Sequence, residues 1–347
     1  MSSKRPPRGP GLRLALPGLS WISLVYVLPG ILVIVYSFLT PRLGGGVIWE
    51  FSLDAWSEIT SRGSRSDFGL ATVTAAAVTG LVAGTVAWIL GHVWLRYAGG
   101  SHRLPILAGA LVGGLWAANH LAADYNNFTA VFTRSVIWSV WATVACLVLA
   151  LPLAVFISGR RSPVTKNALL VAVMIPFWTS MLVRTYAIRF LLANTGPLNG
   201  WIESLGFERQ VFLNTRFAVV LGLVYTALPF MVLPLYAAVE RSDRAQLEAA
   251  RDLGAKPAQV FTQVFIPMVR AGVTVGSTMV FVLSVSQYLV PTLLGGGKTN
   301  MLANLLELQF GESFNWPLGA ALAVVFTAFS IVSLRLVADS DKAVGLL

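Results

Sequence analysis

The segment from Glu248 to Pro267 reads EAARDLGAKPAQVFTQVFIP. It is polar and charged, yet it lies between two long apolar stretches of a very hydrophobic chain. Hydrophobic residues make up 56% of the 347 residues, charged residues make up 12%, and the mean hydropathy is +0.73. A soluble domain has about 25% charged residues. The composition therefore predicts an all-α membrane protein in which this segment is a loop outside the lipid.

The apolar stretches give the number of membrane crossings. A helix needs about 20 apolar residues to cross about 30 Å of hydrocarbon. The third of the eight candidates is the weakest, because it carries Asn119 and His120. We interpret the first as a retained span, since its apolar core is long for a signal peptide and no Ala-x-Ala-like cleavage site follows. The predicted spans are 17–40, 69–91, 104–123, 136–158, 168–190, 217–239, 271–293 and 316–338.

The distribution of charge between the loops predicts the orientation. With the N-terminus inside, sixteen of the 25 Lys and Arg residues fall on the inner side, against six of the 15 acidic residues. This predicts a multi-pass protein of the bacterial inner membrane with both termini and the 240–270 loop in the cytoplasm. The basic residues are dispersed among inner loops, so nucleic-acid binding is not predicted. We expect Arg184 and Arg189, near the outer end of their span, to snorkel to the surface.

The loop itself predicts a compact knob. Residues 241–251 have the pattern of a short amphipathic helix, Gly254 suits a left-handed helix end, and Lys256-Pro257 starts a new helical turn. Ala249 and Ala250 are small enough for close backbone approach, and Glu248 offers a carboxylate to a neighbouring protein. The alternative is an ordinary solvated loop between two helices.

The spacing of Glu248-Ala249-Ala250, Gly254 and Ile266-Pro267 resembles the EAA loop of binding-protein-dependent ABC importers. One position departs from that pattern, since Val264 stands where isoleucine is expected. Further motifs resemble the permease subunits of spermidine/putrescine-type importers. They are Pro176-Phe177-Trp178-Thr179-Ser180 with Arg184 and Tyr186, Gly196-Pro197-Leu198-Asn199, Leu228-Pro229-Phe230-Met231, Pro234-Leu235-Tyr236 and Asn315-Trp316-Pro317-Leu318-Gly319.

The resemblance implies one transmembrane permease domain over 1–347 of the type I ABC importer class. Its six-helix core would carry an insertion of two further helices within 55–124, and 240–270 would be the coupling loop. The residues implied to couple the chain to an ATPase are Glu248, Ala249, Ala250, Asp252, Gly254, Lys256 and Pro267.

The implied function is ATP-driven inward movement of a small organic solute, a polyamine or a related compound. The chain itself would not be an enzyme, because a cytoplasmic ABC ATPase dimer would hydrolyse the ATP. A second permease, expected to be a different chain, would complete the passage. An extracytoplasmic solute-binding protein would deliver cargo to outer loops such as 191–216 and 294–315.

Polar residues within spans are the candidates for the solute passage, because such residues face the bundle interior or a cavity. For each one, hydrogen bonding between helices is the alternative. The candidates are Trp178, Tyr225, Ser284, Ser286, Gln287 and Tyr288.

No cofactor or metal site is predicted. The three histidines lack ligand spacing, and the single cysteine, Cys146, cannot form an intrachain disulfide. The GGGKT sequence at 295–299 lacks the first glycine and the preceding strand of a P-loop. Two other function classes stay open. An ion-coupled secondary transporter would need carboxylates inside the spans, which are missing, and a membrane scaffold or assembly protein would bind partners without moving solute.

Overall fold

The computed structural model describes residues 17–18, 20–42, 44–60, 127–297 and 299–344. Two of the predicted spans, 69–91 and 104–123, lie outside the described residues, as does most of the predicted 55–124 insertion, which stays a prediction. The chain divides into two compact units. One unit comprises Met1–Ser61 with Leu306–Phe329, and the other comprises Arg62–Leu305 with Ser330–Leu347.

The described secondary structure is helical apart from one hairpin of two antiparallel strands. The strands are β1 (Leu39–Pro41) and β2 (Val47–Phe51). The helices are α1 (Ser20–Tyr36), α2 (Asp54–Thr60), α3 (Asn127–Ser158), α4 (Pro163–Trp178), α5 (Met181–Leu191), α6 (Pro197–Ser204), α7 (Arg216–Glu240), α8 (Arg244–Asp252), α9 (Pro257–Val285), α10 (Leu289–Gly295), α11 (Leu302–Gly311) and α12 (Trp316–Val344).

Three described helices are long and apolar enough to cross a membrane: Val131–Ser158 within α3, α7, and α9. They correspond to the predicted spans 136–158, 217–239 and 271–293. The predicted span 271–293 ends too late in the chain, since α9 ends at Val285. The hydroxyl of Ser286 donates to the carbonyls of Val282 and Leu283, both at 3.0 Å. The backbone N–H of Ser286 also donates to the Val282 carbonyl, so the hydroxyl bond to Leu283 is the one that satisfies a carbonyl left open at the helix end.

The span predicted over 168–190 is a broken pair of helices. The axes of α4 and α5 differ by 92°, and the break lies at Thr179–Ser180. Thr179 donates both its backbone N–H and its hydroxyl to the carbonyl of Pro176, which closes the last turn of α4. Hydropathy alone does not detect such a break, because the residues on both sides of it are apolar.

The first predicted span, 17–40, is also shorter in the structure. Its helix ends at Tyr36, because the chain then enters the β1–β2 hairpin. Within the same unit, the Phe38 ring stacks against Phe51 at 6.0 Å and against Trp56 at 5.6 Å between ring centroids. This aromatic cluster fixes the turn that follows α1.

The core of the second unit forms where α3, α7 and α9 pack together. Helix α3 presents Ala142, Cys146, Ala150 and Ala154 at four-residue intervals, and each is fully buried. Small side chains at this spacing let helix backbones approach closely. On α9, a Cβ atom added to Gly272 would lie 2.7 Å from the backbone oxygen of Pro234 on α7. The three helices therefore meet along surfaces that leave little room for larger side chains.

Candidate functional site

Helix α8 forms the first half of the predicted knob. It begins after Asp243, whose Oδ1 accepts a hydrogen bond from the Ala245 N–H at 2.9 Å and so caps the helix. Leu247 packs against the buried core of the unit, whereas Glu248 and Ala249 are exposed. The helix is thus anchored on one side and presents the other to its surroundings.

The end of α8 has the hydrogen bonding of a Schellman motif. Gly254 has a φ of +80°, its N–H donates to the carbonyl of Arg251 at 2.9 Å, and the Ala255 N–H donates to the carbonyl of Ala250 at 3.1 Å. A left-handed φ of this size favours glycine. Leu253, which directly precedes the glycine, is 89% exposed. The motif therefore displays an apolar side chain at the tip of the knob.

The second half of the knob starts at Lys256, whose N–H donates to the side-chain oxygen of Gln259 at 2.8 Å. Pro257 occupies the first position of α9, where its missing N–H is harmless. The other predicted coupling residues, Asp252, Lys256 and Pro267, are exposed, and Ala250 is half-buried. The structure therefore brings all seven predicted residues onto one helix–turn–helix segment, with Pro267 one helical stretch further along α9.

Beside this knob lies a polar cluster that the sequence interpretation missed, which we call the Glu240 cluster: Ser158, Lys166 and Glu240. Glu240 Oε1 lies 2.5 Å from Lys166 Nζ, and Glu240 Oε2 accepts from the Ser158 hydroxyl at 2.7 Å. The three residues belong to α3, α4 and α7, and Glu240 ends α7 just before α8. The cluster therefore ties the ends of three helices together where the knob begins.

The Glu240→Gln variant tests the cluster. The side chain keeps its size, but the ion pair to Lys166 is lost, so we expect α4 to separate more readily from α7 and solute transport per ATP to fall about two- to tenfold. A chain made with Glu50→Gln is the matched control, because Glu50 is an exposed glutamate on β2, outside α3, α4 and α7. Transport and ATP hydrolysis are measured together in proteoliposomes, which gives the solute transported per ATP. Equal values in the two variants would contradict the prediction.

Two of the six predicted passage residues face the same space. Ser284 and Gln287 line a cavity of about 30 Å³ together with Thr226. Ser284 is 1% exposed, and its hydroxyl has no hydrogen-bond partner among the described residues. The volume and the three polar side chains suit one water molecule. The cavity is therefore a small polar space between α7 and α9.

The other four predicted passage residues lie elsewhere. Trp178 is 85% exposed, Tyr288 is 50% exposed and Tyr225 is 40% exposed, and Ser286 binds carbonyls of its own helix. They lie on the surface of the chain. They would line a passage only where a second subunit packs against this surface.

The turn after Tyr288 is held by Asn304, another residue that the sequence interpretation missed. Its Nδ2 donates to the carbonyl of Tyr288 at 2.8 Å and to Thr292 Oγ1 at 2.6 Å, and its Oδ1 accepts from the Met301 N–H at 3.0 Å. The residue is 7% exposed. A buried amide with three such bonds fixes the chain between α10 and α11.

Arg184 does not snorkel, contrary to the prediction, whereas Arg189 is exposed as expected. Arg184 is 9% exposed. The 92° break turns α5, so that the face with Met181 and Ile188 packs on the core, and Arg184 lies on that face. Because of the break, Arg184 is buried instead of lying at the outer end of a straight span.

The 191–216 loop is tied together by Asn199, which is 1% exposed. Its Nδ2 donates to the carbonyl of Gln210 at 3.0 Å, and its Oδ1 accepts from the Gln210 N–H at 2.9 Å. Arg209 pairs with Glu203, and this hydrogen bond holds the pKa of the Glu203 carboxyl below its ordinary value. The stability that the pair adds is present above the ordinary pKa and is lost as the pH falls through the lowered pKa.

Replacement of Asn199 by Ala is expected to open this loop. The backbone N–H and C=O of Gln210 would lose their hydrogen bonds to the Asn199 side chain, at a cost of about 0.5–1.5 kcal/mol for each bond. Limited proteolysis within 191–216 should speed up at least severalfold. The Gln210→Ala variant is the control, since only backbone atoms of Gln210 bind Asn199. A cleavage rate for Asn199→Ala no faster than that of the control would refute the assignment.

Comparison with known proteins gives one consistent result. A family model described as "Binding-protein-dependent transport system inner membrane component" matches residues 109–345. The spermidine/putrescine transport system permease protein PotB of Haemophilus influenzae is 37% identical over 211 residues, covering 59% of this chain and 73% of the relative. PotB of Escherichia coli K12 is 38% identical over 199 residues, covering 57% and 72%.

Solved structures show the same fold. A bacterial ABC transporter involved in the import of the acidic polysaccharide alginate matches with a TM-score of 0.57 and 12% identity, covering 96% of this chain and 94% of that one. A bacterial alginate ABC transporter in complex with a periplasmic protein bound to alginate pentasaccharide matches with a TM-score of 0.50 and 15% identity, covering 67% and 87%. Since the family model spans more than half of the chain, the protein belongs to the inner membrane components of binding-protein-dependent transport systems and is a permease subunit of an ABC importer.

Proposed function

We propose that this permease subunit moves a polyamine or a related small organic solute inward, driven by an ATPase that binds the knob formed by α8 and the start of α9. One observation carries the proposal: α8 is anchored to the core through Leu247 while Glu248, Ala249 and Leu253 are exposed. A helix held in this way transmits a push on its outer face into α7 and α9. The exposed Glu248, Ala249, Asp252 and Lys256 are the proposed contacts to the ATPase.

The proposed assembly contains an ATPase dimer, a second permease of a different sequence and an extracytoplasmic solute-binding protein. The 191–216 loop is the proposed contact for the binding protein, because it exposes Trp201, Leu205, Phe207 and Val211 by 68–76%. Exposed apolar side chains this close together are typical of contact surfaces. The excess of basic residues on the knob side supports cytoplasmic termini. ATP binding would draw the two knobs together and open the passage outward, and hydrolysis would reset it.

The polyamine class is supported by the similarity to the two PotB proteins. The cavity lined by Thr226, Ser284 and Gln287 is polar but uncharged. A neutral cavity does not itself select a polycation. We therefore place most of the selection for the solute in the binding protein, with this chain providing an alternating passage.

The test is ATPase activity of the purified complex in lipid, with candidate binding proteins loaded with spermidine, putrescine or an organic anion. Stimulation by a polyamine-loaded protein would support the proposal in full. Stimulation only by an anion-loaded protein would refute the polyamine class but keep the importer. If no ATPase co-purifies with the chain and none is stimulated, the coupling proposal is wrong and a scaffold function takes its place.

A further inference from the structure

The break between α4 and α5 leaves a helix start inside the transmembrane region. Helix α5 begins after Ser180, whose side chain makes no capping hydrogen bond. The first N–H groups of a helix have no acceptor within the helix, and the aligned peptide dipoles give this end a partial positive charge. The first turn of α5 can therefore donate hydrogen bonds to an anion.

Arg184 lies in the first turn of this helix and adds a full positive charge. It is 9% exposed, and its Nε and Nη1 atoms are buried without a hydrogen-bond partner among the described residues. Long side chains in a helix lean toward its N-terminus, which favours a guanidinium position near the uncapped N–H groups. A buried charge without a partner is strongly destabilising. Among the described residues, the helix start and Arg184 thus both favour negative charge nearby.

The contacts of α5 show toward which end of the bundle it lies. Helix α5 packs against α10, and α10 packs against α7 at Gly222, where an added Cβ would lie 2.6 Å from Leu294. Gly222 is six residues, about 9 Å, from the start of α7 at Arg216. Helix α5 therefore lies toward the end of the bundle opposite the knob.

We propose that the first turn of α5, together with Arg184, binds a single phosphate or carboxylate group. The guanidinium offers a planar pair of donors that matches an oxyanion, and the helix N–H groups complete the cradle. The anion is the headgroup of an acidic lipid or a free solute anion, and the same chemistry serves both. This site does not depend on the identity of the imported solute or on the coupling function.

The full chain in dodecyl maltoside micelles, which contain no phosphate group, tests the site by thermal unfolding. Phosphatidylglycerol is added to the micelles in one arm, and inorganic phosphate or acetate is added to the buffer in the other. We expect a rise in Tm of about 2–4 °C on anion binding. A response only to phosphatidylglycerol identifies a lipid headgroup, and a response to the soluble anions identifies a free anion. No rise in either arm would overturn the proposal.

Matched variants separate the site from general charge effects. Arg184→Gln should lose most of the anion response, whereas Arg189→Gln, which removes an exposed arginine of the same helix, should retain it. An equal response in these two variants would overturn the proposal. Ser180→Asp places a tethered carboxylate at the uncapped helix start, so we expect a higher Tm without added anion and no further rise with it. This variant keeps the test informative even when Arg184→Gln folds poorly, since a full anion response in Ser180→Asp also counts against the site.

Discussion

Gly254→Pro is expected to reduce solute-stimulated ATP hydrolysis at least tenfold without preventing insertion of the chain into the membrane. Proline fixes φ at about −65°, whereas Gly254 has a φ of +80°. The N–H that donates to the Arg251 carbonyl would also be absent. The knob would lose its turn, and Leu253 would leave the tip. Capture of the ATPase on the purified chain should fail together with the stimulated activity.

Gly206 provides a closely matched control on the 191–216 loop. It has a φ of +83°, and its N–H donates to the carbonyl of Glu203 at 2.9 Å, so Gly206→Pro causes the same local damage away from the knob. We expect this variant to capture the ATPase normally. Glu248→Arg leaves the backbone intact and reports on the carboxylate alone. Capture by Gly254→Pro at the level of Gly206→Pro would show that the knob is not the ATPase contact.

Gly272→Ala is expected to destabilise the chain far more than Gly276→Ala, although both glycines lie on the same face of α9. A Cβ on Gly272 would lie 2.6 Å from the Ala238 Cβ and 2.7 Å from the Pro234 backbone oxygen, which cannot move without shifting α7. A Cβ on Gly276 would meet the Met231 sulfur at 2.8 Å, and that flexible side chain can turn away. We expect a loss of about 2–3 kcal/mol in the free energy of unfolding for the first and below about 1 kcal/mol for the second.

The comparison requires both variants in the same detergent, with unfolding followed by tryptophan fluorescence. Gly200→Ala on α6 serves as a control for the loss of glycine itself, since no other part of the described structure comes within 4 Å of an added Cβ there. Equal losses for Gly272→Ala and Gly276→Ala would mean that α7 and α9 are less closely packed than the structure shows.

The sequence was informative where one residue type determines a local structure. Gly254 and Pro257 impose their backbone geometry directly, so the turn of the knob follows from the residues alone. The spans at α3 and α7 are apolar over their whole length, and their prediction was confirmed within a few residues. The fold class was predicted from the same hydropathy and from the resemblance at the EAA loop. The family match confirmed the fold class and the resemblance.

Features that neither hydropathy nor a sequence motif marks were not predictable. Hydropathy does not distinguish a continuous span from α4 and α5, because the break arises from hydrogen bonds to the Pro176 carbonyl. Arg184 was assigned to the surface for the same reason. The Glu240 cluster joins residues 82 and 74 positions apart in the chain, and no local pattern marks it.

Cys146 gives the molecule a practical advantage. It is the single cysteine of the chain, and it is fully buried among alanines of α3. A maleimide added to the folded protein should therefore leave the native thiol unmodified. Leu253→Cys would introduce one accessible thiol at the tip of the knob without any prior removal of cysteine. A fluorophore or spin label at that position could report the approach and departure of the ATPase in an otherwise unaltered protein.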